Sequence, residues 1–379
     1  MNQLVIDSLD FVASVNKLIN DKDFSNILIV TGKNFEQKIK KLKIISKKKP
    51  SIFISKGPYP KVSCIYELIK LLQIEKPDLI IAIGGGRTID IVKQANKLYK
   101  LKSKEEIIDC IKNKTYADLL CLSSVLVIPT TAGTGSEATQ FAVTYIDNKK
   151  YSVDHKDLLP EFVIHDSTLL RNMDKKIIAS TAMDALTQAI ESIWAIKSSK
   201  ESANYAAKSI KLIRQNVITA YESRNNDKNS SKKMQTAAYL SGKAINISRT
   251  TAPHAISYPL TVHFNISHGH AVAMILRHFI RINSKADVYE VIDPRGKDHV
   301  KKTMKEIISL FECDSIEDCC KKFDLILEKL SLEINFKKMG IENNSDIEKI
   351  VQEINLERLN NNPVKVSKDD IKNIFRTFV

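Results

Sequence analysis

The sequence has no long apolar run and no paired-cysteine motif, and both gaps narrow what it can be. No stretch of about 18 apolar residues occurs, and the start "MNQLVIDSLDFVASVNKLIND" mixes acids into its apolar positions without a basic lead or a small-residue cleavage site. Neither a membrane span nor a secretory leader is expected. A cytoplasmic protein with no membrane partner is. The six cysteines, Cys64, Cys110, Cys121, Cys313, Cys319 and Cys320, show no CxxC spacing, which argues against a cysteine-bound metal and for reduced thiols. Sequence repeats and low-complexity linkers are missing too.

Charge is one-sided, with 58 Lys and Arg against 44 Asp and Glu for a net +14. A basic balance of this kind is the first criterion for a nucleic-acid binder. Yet the lysines run through the whole chain, densest in "KIKKLKIISKKKP", and no zinc-finger spacing, RNP-like string or basic and aromatic alternation accompanies them. Nucleic acid is therefore not expected as a partner. A positive field also suits an anionic small substrate or cofactor.

At 379 residues the chain exceeds what one hydrophobic core usually supports, so two domains are expected. Up to about residue 165 short β-branched runs alternate with helical stretches: "NILIVTG", "SIFISKG", "DLIIAIGGG" and "SSVLVIPTT", separated by amphipathic segments such as "CIYELIKLLQIEK". Buried runs of this length indicate βα units and a mostly parallel sheet. From "STAMDALTQAIESIWAI" onward the periodicity is helical. The expected fold is α/β plus all-α: a Rossmann-like dinucleotide-binding domain over residues 1–168, then a helical metal and substrate domain over 169–379. The cleft between two such domains is the default active site.

Three loops follow predicted strands. In "IAIGGGRTIDIVK" a strand runs into Gly84, Gly85 and Gly86, with a helix expected from about Thr88. Such a turn brings backbone N–H groups to a phosphate at a helix N-terminus. Glycines there also serve a purely steric turn, so this loop alone decides little. The second, "IPTTAGTGSEAT", adds Thr130, Thr131, Thr134 and Ser136. Small hydroxyls in such succession favour phosphate or ribose contacts over a structural turn. The third, "ILIVTGKNF", ends in Gly32 and Lys33 where dinucleotide folds often carry an acid for the ribose hydroxyls, which leans toward NADP(H) over NAD(H).

The helical half holds five of the eight histidines within "TTAPHAISYPLTVHFNISHGHAVAMILRH": His254, His263, His268, His270 and His278. "MDALTQAIES" sets Asp184 and Gln188 four residues apart, on one helix face. Fourteen residues separate His254 from His268, so one helix can carry the first and the next loop or helix start the second. Asp, Gln and two His suit a divalent cation, although spacing alone equally fits a polar helix face and hydrogen-bonded core histidines.

"GGGRTID", "PTTAGTGSEAT", "MDALTQAIES", "PHAISYPL" and "SHGHAVA", in this order, resemble the iron-containing alcohol dehydrogenase family over about residues 25–280. The resemblance implies NADP(H) or NAD(H) as cofactor and a divalent metal, Fe(II) ahead of Zn(II), on Asp184, Gln188, His254 and His268. It assigns the pyrophosphate loop to Gly85, Gly86, Arg87 and Asp90, and the nucleotide-contacting threonines to Thr130 and Thr131. Thr88, Thr139 and Lys150 complete the cofactor-binding set. Four departures stand out: Gln188 and Tyr258 replace histidines, Arg87 replaces a serine, and Gly32 replaces an acid. An amide oxygen is a neutral, hard ligand, so Gln188 should weaken iron or zinc binding.

"DALTQAIESIW", "INISRTTAPHAISYPLT" and "HGHAVA" look most like the phosphonoacetaldehyde reductase branch of that family. The implied reaction is NAD(P)H-dependent reduction of phosphonoacetaldehyde to 2-hydroxyethylphosphonate by a homodimer. Arg249, or Arg87, would supply a guanidinium for the anionic aldehyde, with Thr250 and Thr251 as hydroxyl donors, and His270 or Tyr258 would pass the proton. His263 and His278 are expected to be structural. The alternatives are an alcohol dehydrogenase, with or without metal, acting on an uncharged short-chain aldehyde, a dehydroquinate synthase-like cyclase, and a non-catalytic protein that kept only the fold.

Overall fold

The computed structural model describes residues 3–376 apart from 41, 42, 45, 58 and 148. It divides into two compact units, Met1–Leu170 and Arg171–Val379. Among the described residues, no helix is long and apolar enough to cross a membrane.

The first unit is built on a six-stranded parallel sheet of order β1-β8-β5-β4-β2-β3. Its strands are β1 (Leu4–Ser8), β2 (Ile27–Gly32), β3 (Ser51–Ser55), β4 (Leu79–Gly84), β5 (Ser124–Pro129) and β8 (Phe162–Asp166), while β6 (Phe141–Ile146) and β7 (Lys149–Asp154) pair as a separate antiparallel hairpin. The central strands are apolar at nearly every position because both faces are covered. Leu28, Val30, Ile80, Ala82, Val125 and Val127 enter one core, and the alternate residues Ile27, Ile29, Leu79, Ile81, Leu126 and Ile128 enter the other. Burying each such side chain stabilises the unit by about 1.5–3 kcal/mol. Helices α3 (Val62–Glu75), α4 (Gly86–Lys97) and α5 (Lys104–Asn113) cover the first face, and α1 (Phe11–Lys22) and α2 (Glu36–Lys40) the second. The four strands expected from the sequence are present, α4 begins two residues before the expected Thr88, and β1, β8 and the hairpin are additions. The additions escaped the sequence reading because "LVIDS" and "FVIHD" are short and carry polar residues.

The second unit is helical. Its first five helices are α6 (Lys175–Trp194), α7 (Lys200–Glu222), α8 (Lys228–Ser248), α9 (Ala252–Phe264) and α10 (His268–Ser284), and further helices follow to Arg376. Asp174 caps α6, Ser199 and Ser202 form a capping box on α7, and Asn265, in the left-handed region, ends α9. From Ala182 to Trp194, α6 is buried on every side, as expected of a helix at the centre of a bundle. Polar residues on such a helix need partners inside the protein.

Candidate functional site

In the helical unit the buried helix α6 carries Asp184, Gln188 and Glu191 at positions i, i+4 and i+7, a single polar stripe. His254 lies in the first turn of α9 and His268 opens α10. Asp184, His254 and His268 each offer a ligand atom, all within 4.8 Å of one another. His254 Nε2 is 3.4 Å and His268 Nε2 3.9 Å from Asp184 Oδ1. The close approach depends on Gly269: a Cβ there would run into the Ser180 carbonyl, so only glycine lets the start of α10 reach α6 at this point.

Glu191 holds this arrangement from behind. Its Oε2 pairs with His254 Nδ1 in a short contact, and its Oε1 accepts from the Thr251 N–H and hydroxyl, both at 2.9 Å. With Nδ1 held by the carboxylate, Nε2 is the ring nitrogen turned toward Asp184, the carboxylate–histidine arrangement common behind metal ligands. Burial works against charge on His254, but Glu191 and Asp184 outweigh it and lift its pKa to about 9. A proton thus sits where a divalent cation would join the same groups. One carboxylate and two imidazoles around a common point fit such an ion.

Gln188 reaches this cluster, but not as a fourth ligand in the orientation described. Its Nε2 donates to Asp184 Oδ1 at 3.1 Å, and its Oε1 accepts from Ser241 Oγ at 3.0 Å. The amide therefore steers the carboxylate. Tyr258, one turn after His254, stacks on His268 at 5.8 Å between ring centroids and 23° between planes. Burial pushes its hydroxyl up to about 12, and Thr250 hydrogen-bonds to it.

Two expectations give way here. His270 sits two residues, about 200°, around α10 from His268, and its Nε2 donates to the Glu333 carbonyl, so it is turned from the cluster rather than set on a proton path to it. Thr251 is fully buried, its hydroxyl donating to Glu191 and accepting from Trp194 Nε1 at 2.9 Å, so it is structural rather than a substrate contact. Arg249 lies at φ 61°, ψ 175°, a backbone region costly for any side chain, with Nη1 on the Asn246 carbonyl at 2.9 Å. His263 pairs with Glu353 at 2.8 Å and His278 stacks on Phe336.

In the α/β unit the two loops lie against each other beyond β4 and β5. Gly85 is the N-cap of α4. A Cβ on Gly85 would stand 3.1 Å from Thr131 Oγ1, and one on Gly86 2.7 Å from Thr134 Oγ1. Glycine at both positions thus lets the threonine loop pack against the start of α4, whose first N–H groups can act as an anion cradle. Thr130 N–H donates to the Gly84 carbonyl at 3.1 Å.

Several residues assigned to the nucleotide instead shape the loop. Asp90 is half-buried, accepting from Ser136 Oγ at 2.6 Å and from Val143 N–H at 3.0 Å. Thr139 is buried, its hydroxyl facing the Ser136 and Phe141 carbonyls. Thr134 Oγ1 accepts from Ser136 N–H within its own loop, and Thr88 is buried with its hydroxyl 3.3 Å from Ser55 Oγ. Loss of solvent raises the Asp90 carboxyl above its usual range, with Lys93 and, more weakly, Lys150 on β7 working against that rise. For Asp90, Ser136, Thr139, Thr134 and Thr88 the polar atoms are satisfied inside the fold, so a ligand-contacting role gives way to a supporting one.

Residues 8–167 match the iron-containing alcohol dehydrogenase family and residues 178–379 the C-terminal domain of the Fe-containing alcohol dehydrogenase family. The chain belongs to the iron-containing alcohol dehydrogenase family. Relatives are named as alcohol dehydrogenases and aldehyde reductases. The phosphonoacetaldehyde reductase of Streptomyces viridochromogenes is 30% identical over 67% of this chain and 65% of its own length, slightly under two thirds. The NADPH-dependent butanol dehydrogenase of Clostridium saccharobutylicum is 30% identical over 84% of this chain and 81% of its own. Among solved structures, the sulfoacetaldehyde reductase from Bifidobacterium kashiwanohense in complex with NAD+ superposes with a TM-score of 0.88 at 23% identity, covering 99% of this chain and 96% of the other. At that identity the likeness establishes the shared fold.

Beyond the family pattern, two residues at these sites escaped the sequence reading. Glu191 had a signal: it continues the Asp184–Gln188 stripe to i+7 on the same helix. Lys93 had a weaker one, a lysine one turn after Asp90 facing inward. Lys93 is 2% exposed, and its ammonium donates to the carbonyls of Ser136, Thr139 (2.8 Å) and Phe141 (3.1 Å), pinning the threonine loop.

Proposed function

We propose that this protein reduces a small aldehyde to its alcohol with NAD(P)H, aided by a divalent cation held on Asp184, His254 and His268. The observation that carries this reading is the convergence of those three ligand atoms within 4.8 Å, backed by a buried carboxylate on the imidazole they share. When bound, the reduced nicotinamide supplies the hydride and the cation draws electron density from the aldehyde oxygen.

The chain's own residues do the rest. Gly85 and Gly86 leave the N-terminus of α4 open to the dinucleotide phosphates, and Lys93 and Asp90 keep the neighbouring loop in shape. Glu191 fixes the tautomer and direction of His254, while Gln188 steers Asp184. Tyr258, its hydroxyl kept protonated by burial, donates the proton that the product oxygen takes up. This replaces the sequence expectation of His270 in that role.

For the substrate we favour an aldehyde with an anionic head, phosphonoacetaldehyde going to 2-hydroxyethylphosphonate. Two similar proteins are named for phosphonoacetaldehyde and sulfoacetaldehyde, and Arg249, adjacent in the chain to Thr250, supplies a cation in the segment that leads into α9. A short uncharged aldehyde is the second reading, favoured by the similarity to a butanol dehydrogenase. The deciding experiment follows NADPH and NADH oxidation with phosphonoacetaldehyde and with propionaldehyde, before and after chelation and re-addition of Fe(II) or Zn(II). Metal-restored oxidation, faster with phosphonoacetaldehyde, is expected. Equal rates on both aldehydes would sink the anionic substrate, and a chelated enzyme indifferent to added metal would sink the cation.

A further inference from the structure

The α/β unit contains a second cationic feature, separate from the phosphate cradle. In the sheet, β2 connects outward to β3 on one side while β4 connects to β5 on the other, so the connections diverge between β2 and β4. Ligands of open parallel sheets bind at such a switch point, beyond the carboxyl ends of the strands. Here those ends are Gly32 on β2 and Gly84 on β4. Arg87, the second residue of α4, leans across this crevice. Its Nη2 lies 3.2 Å from where a Cβ on Gly32 would stand, and 3.4 Å and 3.5 Å from the Ser55 hydroxyl and carbonyl at the end of β3.

The end of the strand beside the glycine-rich turn is where dinucleotide folds sort their cofactors. An acid there accepts the adenosine ribose hydroxyls and repels a 2′-phosphate, whereas an arginine nearby accommodates it. Here the acid is absent, and the space its side chain would enter borders the Arg87 guanidinium. Lys33 and Lys56, both exposed, follow Gly32 and Ser55 directly. Thr31, Gly32, Lys33, Ser55, Lys56 and Arg87 thus bring three cations and no acid to this rim. A planar guanidinium fork suits the tetrahedral oxygens of a phosphate monoester.

We infer that Arg87, standing over Gly32, reads the 2′-phosphate of the cofactor and makes the protein select NADP(H) over NAD(H). This rests on the reductase reading and narrows it, moving Arg87 from the pyrophosphate loop to the adenosine end. Lys33 adds charge without fixed geometry.

Direct titration calorimetry with 2′,5′-ADP and 5′-AMP, which differ only in the 2′-phosphate, tests the inference without any turnover. Wild-type protein should bind 2′,5′-ADP at least about tenfold more tightly, as charge-assisted hydrogen bonds of this kind provide. Arg87→Ser should weaken 2′,5′-ADP by about 10- to 100-fold and leave 5′-AMP within about twofold. Arg87→Lys, which keeps the charge and tests for misfolding, should fall between. Gly32→Asp, whose carboxylate would pair with Arg87, should reverse the NADPH over NADH preference in binding. Equal wild-type affinity for the two nucleotides would overturn the inference even if both coenzymes are oxidised. Equal losses for both in Arg87→Ser would overturn it by placing Arg87 on a phosphate common to both. Binding of neither nucleotide nor of NAD(P)H would overturn the reductase reading along with it.

Discussion

The two units prepare their sites in opposite ways. In the α/β unit the polar side chains near the nucleotide loops are mostly turned inward: Lys93, Asp90, Ser136 and Thr139 satisfy one another and the loop carbonyls, leaving backbone N–H groups for the ligand. In the helical unit the side chains themselves face one another, Asp184, His254 and His268, and a buried carboxylate stands behind them. The difference follows from what each ligand needs. A phosphate is met by backbone donors at a helix N-terminus, so the sequence must supply glycines and a rigid loop. A divalent cation is met by deprotonated side chains of fixed direction, so the sequence must supply ligands and something to aim them.

The largest expected effect separates the two halves by breaking one of them. Gly269→Ala drives a Cβ into the Ser180 backbone and should destabilise the helical unit by about 3 kcal/mol, read as a lowered unfolding midpoint, while residual nucleotide binding survives at low temperature. An unchanged midpoint would mean α10 does not approach α6 as described. Next comes Glu191→Ala, which leaves His254 without its partner and should cost roughly 10- to 100-fold in metal affinity. Nucleotide affinity should stay put. Metal binding as tight as in wild type would remove Glu191 from the account.

A smaller effect concerns acid. Burial, with Arg277 and Arg281 nearby, pushes His278 down to about 3. A histidine with a depressed folded pKa binds its proton mainly in the unfolded chain, so its share of stability is present above about pH 6.5 and lost as pH falls from there toward 3. The expected slope is about 1.4 kcal/mol per pH unit at most. His278→Phe should flatten it in denaturant titrations at successive pH values, and an unaltered slope would contradict the assignment. Smallest is Arg249→Gly. Relief of the φ 61° backbone should stabilise the protein by about 1 kcal/mol while raising the KM for an anionic aldehyde and sparing that for propionaldehyde.

What the sequence revealed follows the same division. Periodicity showed the parallel strands and the helical half, because buried central strands and amphipathic helices leave strong local patterns. The cluster of Asp184, His254 and His268 was legible through motif resemblance, whereas spacing alone left a polar helix face and hydrogen-bonded core histidines equally open. The roles of Asp90, Ser136, Thr139 and Thr251 were not, because a hydroxyl or carboxylate reads the same in a sequence whether it faces a ligand or a neighbour. Asn361 left no signal at all. It lies far along the chain, yet its side-chain amide donates to the Ser248 and Thr250 carbonyls at 2.9 and 3.0 Å, bracketing the strained Arg249. Gln188 shows the limit most sharply: spacing puts it beside Asp184, and only the hydrogen bond to Ser241 shows which way its amide points.

The helical unit is expected to bind a divalent cation through the side chains of Asp184, His254 and His268. Anaerobic titration of chelator-stripped protein with Fe(II), repeated on Asp184→Ala and His254→Ala, tests this directly. One saturable equivalent per chain in the wild type, lost in both variants, is the predicted result; no saturable binding in the wild type, or binding that survives either substitution, would contradict it.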